Sequence, residues 1–245
     1  MKKKILKLLK ILVLSILALF LITVATLYFS LNEKLPDGTT GDAADRFANN
    51  ILKAIKHDRY LATDYIQWSF RNKHHYLWNK KQGTVRVQWE DYTAHLNLND
   101  ASKSYLENKD ITPKEKKELL AKALAYFNND SFWVVAPHKL FDTGVTRKLV
   151  SLEDGTEGLL ITYNSGGTTP GDSYLWKVDD NYIPKSYQMW VSIIPIGGIE
   201  ASWEDWKTMD SGAYLSQRHS LLGMGIPISN LKAWSENLKV FDLPI

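Results

Sequence analysis

The hydrophobic pattern of the chain changes period several times, and each change marks an element. Residues 11–31 form one apolar run broken only by Ser15, Thr23, Thr26 and Ser30. At ~1.5 Å rise per residue, about twenty residues match a hydrocarbon core of roughly 30 Å, so the run predicts a transmembrane helix. Residues 32–41 are polar and contain Pro36, Gly38 and Gly41, which reads as a linker. After Asp42, a suitable N-cap, Ala44, Phe47, Ala48, Ile51, Leu52 and Ile55 recur at helical spacing. They predict a helix to about residue 55 with one face on an apolar surface.

From Asp64 the period becomes two. Ile66, Trp68 and Phe70 alternate with polar neighbours, as do Val85, Val87 and Trp89, and then Tyr92, Ala94, Leu96 and Leu98. With 74–78 between the first two sets, these predict a four-strand antiparallel meander. Thr112-Pro113-Lys114-Glu115 predicts a helix start: threonine as cap, proline at the first turn and glutamate closing a capping box. Leu119, Leu120, Ala123, Tyr126 and Phe127 form its stripe, so its end is expected near Phe127. Further strands are expected at 132–136, 147–152, 158–163, 173–178, 186–193, 201–207 and 213–222, with a weak last element from Ile226. Glu153-Asp154-Gly155 and Asp179-Asp180-Asn181 supply hairpin turns. The fold class expected is α+β: a transmembrane helix, then a curved, unclosed antiparallel barrel of about ten or eleven strands. Two or more helices cover its mouth, and residues 42–245 form one domain.

Charge sets the orientation. Lys2, Lys3, Lys4, Lys7 and Lys10 precede the apolar run with no acid among them. Lysines stay cytoplasmic, so the chain is expected N-in, with its C-terminal domain extracytoplasmic (periplasmic) and the membrane contacted through 11–31. The competing reading is a cleaved secretory signal, cut after Ala25 with Thr23 two residues before, although the apolar stretch exceeds the roughly 7–15 residues of a signal. Of 30 Lys+Arg, those five lie in residues 1–10, leaving 25 against 27 Asp+Glu. The extracytoplasmic part lacks the basic footprint a nucleic acid would need, so no nucleic-acid partner is expected. The absence of cysteine excludes disulfides, cysteine–zinc sites, thiol catalysis and lipidation through cysteine.

The order helix, meander, helix, strands, together with Trp133-Val134-Val135-Ala136-Pro137, Asp142-Thr143-Gly144 and Tyr174-Leu175-Trp176 leading to Pro184, resembles the LolA/LolB-like periplasmic lipoprotein-carrier superfamily. It is similar also to LolA-like envelope proteins of Bacteroidetes. The resemblance spans about residues 42–230 and lies in element order and hairpin style. It implies a half-barrel that carries acyl chains in a concave cavity, with no catalytic residue to transfer and no ligand contact matched residue by residue.

The residues themselves bear on a cavity through the large aromatic content, nine Trp and twelve Tyr. Trp68, Phe70, Trp89, Trp176 and Met189 fall on the apolar phase of their strands. They are candidates to line a hydrophobic cavity, the competing reading being ordinary core. Other chemistry is thinner. The loop 164–172 offers amides and hydroxyls to an anion but has neither the lysine nor the following helix of a P-loop. His74 and His75 are adjacent, so in a strand they point to opposite faces, and no metal site is expected. Glu200 and Glu204 flank Trp203, a pairing compatible with a carboxylate-dependent glycan hydrolase. Asn129-Asp130-Ser131 matches a glycosylation sequon by chance. Pro195, Gly197 and Gly198 predict a bend or wide turn.

The function expected is therefore binding, without catalysis or cofactor, of a lipid, an acylated partner or another hydrophobic ligand by a membrane-tethered half-barrel. The alternatives are the hydrolase using Glu200 and Glu204, and a structural or assembly protein of the envelope.

Overall fold

In the computed structural model, which describes residues 2–107, 111–166 and 169–236, α1 (Lys2–Leu31) is long and apolar enough over Leu9–Leu31 to cross a bilayer. Its two threonines return their hydroxyls to the helix: Thr23 donates to the Leu19 carbonyl and Thr26 to that of Ile22, both at 2.9 Å. Both hydroxyl protons are thus satisfied within the helix.

Residues 32–41 lie against the fold. Asn32 and Glu33 bond to residues 188–197, and Thr39 pairs with Leu149. α2 (Asp42–Ala54) buries the predicted stripe of Ala44, Phe47, Ala48 and Ile51. Gly41, at φ 107, takes the cap position, which makes Asp42 the first helical residue. A short α3 (His57–Leu61) follows Lys56, itself left-handed at φ 54.

The strands form one antiparallel sheet. The meander is β1 (Tyr65–Phe70), β2 (His74–Asn79), β3 (Thr84–Trp89) and β4 (Tyr92–Asn97), with a two-residue β5 (Tyr105–Leu106) beside β4. After α4 (Pro113–Val135) come β6 (Val145–Ser151), β7 (Glu157–Tyr163), β8 (Ser173–Val178), β9 (Pro184–Trp190), β10 (Ile199–Ser202), β11 (Glu204–Thr208), β12 (Tyr214–Leu221) and β13 (Met224–Trp234). The order is β5-β4-β3-β2-β1-β13-β12-β10-β9-β8-β7-β6, with β11 paired to β12 off this path. Edges β5 and β6 do not meet, so the sheet is unclosed.

Among the described residues the count of thirteen strands exceeds the ten or eleven expected, and three local facts account for it. β5 is too short to show a period. The run 201–207 is broken at Trp203, whose N–H bonds the Lys185 carbonyl at 2.6 Å, and Asp205 is left-handed at φ 53. The weak element from Ile226 is an eleven-residue strand, and its pairing with β1 joins the two halves of the sheet.

The strand expected at 132–136 is instead the end of α4. The Thr112 box forms as predicted, with the Glu115 carboxylate 2.8 Å from the Thr112 N–H. The helix then runs 23 residues, past Phe127. Asp130, Ser131, Trp133, Val134 and Val135 are all buried, so the helical stripe widens to the whole circumference. A helix inserted into a curved sheet is apolar all round, and β-branched and aromatic residues there mimic a strand. Asp130 and Ser131 are the polar exceptions; Asp130 Oδ2 accepts from the Tyr76 hydroxyl at 2.5 Å and lies 2.6 Å from His74 Nδ1.

Candidate functional site

The alternation of the strands sends Trp68, Phe70, Trp89, Trp176 and Met189 to the same inner face, and all five are 7% exposed or less. Their rings fall into two groups along α4. Trp68 stacks on Tyr76 with ring centres 4.5 Å apart, and with Trp89 it packs near Tyr126 and Phe127 of α4. Trp176 meets Tyr187 at 5.0 Å and Trp203 at 5.2 Å, and this second group reaches α4 at Phe132 and Trp133 through Tyr187. Met189 pairs with Ile199 and Tyr174 in the ladder. The indole N–H groups of Trp68, Trp89 and Trp176 are buried with no protein acceptor.

Space for a ligand opens elsewhere, at one rim of the sheet. A cleft of about 550 Å³ lies among α2, α3, the β2–β3 turn and residues 138–142. Leu52, Leu61, Trp78 and Phe141 supply apolar wall; Lys80, Lys81, Lys139, His57 and His138 supply nitrogen. Such a volume is typical of small-molecule sites.

The cleft is built around Tyr60. Its ring stacks on His138 with centres 4.2 Å apart and planes 11° from parallel, and on His57 at 5.7 Å. His57 Nδ1 lies 3.3 Å from His138 Nδ1. One ring must donate and the other accept, so the two imidazoles hold different tautomers. Lys80 lies 3.6 Å from the centre of the Tyr60 ring and donates to the Tyr60 carbonyl. The aromatic face and the carbonyl both favour a cation there.

Burial governs the titration of the cleft. It draws the Lys80 ammonium down to about 8, an effect that Asp64 opposes and Lys139 reinforces. It draws His138 down to about 3, with His57 adding to the effect and the Tyr214 carbonyl opposing it. His57 is lowered by burial and by Lys80, against Asp142 and Asp58. The Tyr60 phenol is raised by burial and by Asp142. At neutral pH the His138 imidazole and the Tyr60 phenol are uncharged, burial favours the neutral form of His57, and Lys80 is largely protonated.

The lysines differ in their partners. Lys81 pairs with Glu236 at 2.7 Å, and Lys139 with Asp142 at 2.5 Å. Among the described residues no ion pair joins Lys80 to a carboxylate. Lys80 therefore lies in the cleft without a contact ion pair, while the carboxylates of Asp64 and Asp142 share the wall with it.

The other sequence candidates fall outside this cleft. Glu200 accepts from the Ser186 hydroxyl and pairs with Lys177 at 2.9 Å; Glu204 pairs with Arg218 at 2.8 Å. Burial raises the Glu200 carboxyl, but Ser186 and Lys177 outweigh it and hold the group below its usual value. His74 and His75 do point apart, one to Asp130 and the other to the Ser69 hydroxyl at 2.8 Å. In the loop 164–172, Gly167 and Thr168 lie outside the described residues. No sequence signal marked His57, Lys80 and His138, which stand far apart in the chain and share no motif.

No protein-family model and no curated protein matches the sequence. Among solved structures, the chain is similar to a DUF1329 family protein from Desulfovibrio piger, at 10% identity and a TM-score of 0.36, over 81% of this chain and 96% of that one.

Proposed function

We propose that the protein is a membrane-tethered, non-catalytic binder of an amphipathic, lipid-like ligand with an anionic head. The observation that carries this reading is Lys80, a desolvated ammonium that among the described residues makes no contact ion pair, in a cleft that also offers the apolar side chains of Leu52, Leu61, Trp78 and Phe141. A carboxylate or phosphate head placed against Lys80 relieves the desolvation that depresses its pKa. The tail lies along Leu52, Leu61, Trp78 and Phe141, where burial contributes roughly 25 cal/mol per Å².

The resemblance in element order to lipoprotein-carrier half-barrels supports the same class of ligand. Trp78 connects the cleft to the interior, since its ring meets Phe127 of α4 edge-on at 5.3 Å. A longer tail would follow that path as α4 lifts, meeting Trp68, Phe70 and Trp89 first and then Trp176 and Met189. The leading lysines support a location of the domain outside the cytoplasm.

The test is titration of the full chain in lipid nanodiscs with a fluorescent fatty acid. Saturable binding is expected, displaced by unlabelled fatty acid and weakened at least tenfold by Lys80→Met. No binding of any acyl ligand, or binding indifferent to Lys80→Met, would refute the proposal.

A further inference from the structure

The register of the strands gathers several turns at the rim of the sheet opposite the cleft. β10 pairs Ala201 with Leu221, which sets Ile199 level with Gly223. The 191–198 loop and the β12–β13 turn therefore project from the same rim. The β1–β2 turn ends short of them, because the Arg71 N–H bonds the Pro227 carbonyl while β13 continues outward to Met224. At about 3.4 Å per residue, the β12–β13 tip stands about 10 Å beyond Arg71.

The tips are apolar and bare. Ile193 is 71% exposed, Leu222 68% and Met224 63%. They are also held in place. The buried Asp172 carboxylate accepts from the Ser192 N–H at 2.9 Å, and the Gly197 N–H donates to Asn32 Oδ1 at 2.8 Å.

The end of α1 is fastened to this same rim. The Glu33 N–H donates to the Gly197 carbonyl at 3.0 Å, and the Trp190 indole donates to the Glu33 carbonyl at 2.8 Å. Gly197 is required at this crossing, since a Cβ there would fall 2.3 Å from the Trp190 ring and 2.8 Å from the Glu33 carbonyl oxygen. The apolar helix ends at Leu31, so the 191–198 loop sits where the chain leaves its apolar span. Exposed Arg71 and Lys73 lie behind the tips, at a depth suited to lipid phosphates when the tips reach the acyl boundary.

We propose that this rim rests on the bilayer that α1 spans, with Ile193, Leu222 and Met224 dipping into the lipid and Arg71 and Lys73 among the headgroups. The proposal rests on reading Leu9–Leu31 as a membrane span and is independent of what the cleft binds. The cleft then opens away from the membrane, at the far rim.

The chain contains no cysteine, so single cysteines report positions directly. Full-length Ile193→Cys, Leu222→Cys and, on the opposite rim, Glu153→Cys are labelled with nitrobenzoxadiazole. They are reconstituted in phosphatidylcholine–phosphatidylglycerol vesicles with and without lipid carrying a doxyl quencher near the headgroup. Labels at 193 and 222 are expected to shift to the blue and lose at least half their emission to the quencher, while the label at 153 is unaffected. Chain that floats with vesicles yet keeps both labels in water overturns this proposal and leaves the span intact. Blue-shifted labels that the doxyl lipid does not quench overturn it in favour of a protein contact. Chain that does not float with vesicles overturns the span and this proposal together.

Discussion

His74 Nδ1 lies 2.6 Å from Asp130 Oδ2, and the two residues are the polar fastening between β2 and the helix that fills the sheet. Asp130 is 1% exposed, and its carboxylate also takes the Tyr76 hydroxyl and the Asn129 amide, at 2.5 and 2.8 Å. Asp130→Ala strips the acceptor from the buried Tyr76 hydroxyl and the partly buried His74 ring, at a cost of about 1–3 kcal/mol per stranded group. We expect Asp130→Ala to lower the unfolding free energy of the full chain in detergent by about 3 kcal/mol in urea titration. Asp130→Asn, which retains an acceptor for Tyr76, should lose less. Equal losses would show that only the ionised carboxylate serves, and no loss in Asp130→Ala would show that packing alone holds the helix.

Lys80 gives ligand affinity a pH dependence of known sign. Its pKa of about 8 keeps the ammonium charged through neutrality and discharges it above that value. Affinity for an anionic fatty acid should be level from pH 6 to 7 and decline toward tenfold per pH unit above the pKa, which bound anion itself raises. Lys80→Arg should carry the plateau to higher pH, and Lys80→Met should flatten the profile at low affinity. Isothermal titration at pH 7, 8.5 and 10 distinguishes these profiles.

Acid should destabilise the fold through two buried imidazoles. Burial lowers His138 to about 3 and His219 to about 4, from an ordinary 6.5. Between those values and 6.5 the unfolded chain binds protons that the folded chain refuses, so stability is complete above 6.5 and falls as pH falls through the window. A tenfold weakening of proton affinity on folding is worth about 1.4 kcal/mol. His138→Phe preserves the stack on Tyr60 and removes that group's proton uptake. Its melting temperature should drop less than that of the unaltered chain between pH 7 and 4.5, and an identical drop would assign the acid sensitivity elsewhere.

Gly38 lets the strap between α1 and α2 cross the sheet edge. A Cβ at this position would lie 2.7 Å from the Leu149 carbonyl oxygen and 2.9 Å from Val150. Gly38→Val should push the strap away from β6 and break the Thr39–Leu149 pair, whose two hydrogen bonds measure 2.9 and 2.8 Å. Hydrogen exchange at the Thr39 and Leu149 amides should accelerate at least tenfold. Unchanged protection would mean that β6 yields instead.

What the amino-acid order determined by itself was local. Ile66, Trp68 and Phe70, and likewise Val85, Val87 and Trp89, are buried on one face as their alternation dictates. The Thr112 cap and the hairpin at Glu153-Asp154-Gly155 also form where the residues place them. Periodicity, capping and turn preference depend on neighbours a few positions away, and those are written in the chain. The tertiary structure alone decided the rest. Residues 132–135 are helical because α4 enters a space enclosed by strands on several sides, where a strand-like composition suits a helix equally well. β13 is the seam of the sheet because β1 offers it a partner more than 150 residues earlier in the chain. Lys80 acquires its chemistry from Tyr60 and His138, which approach it only when α3 and the turn after α4 close on the β2–β3 turn. Burial and desolvation are properties of that closure, and no short window of sequence contains them.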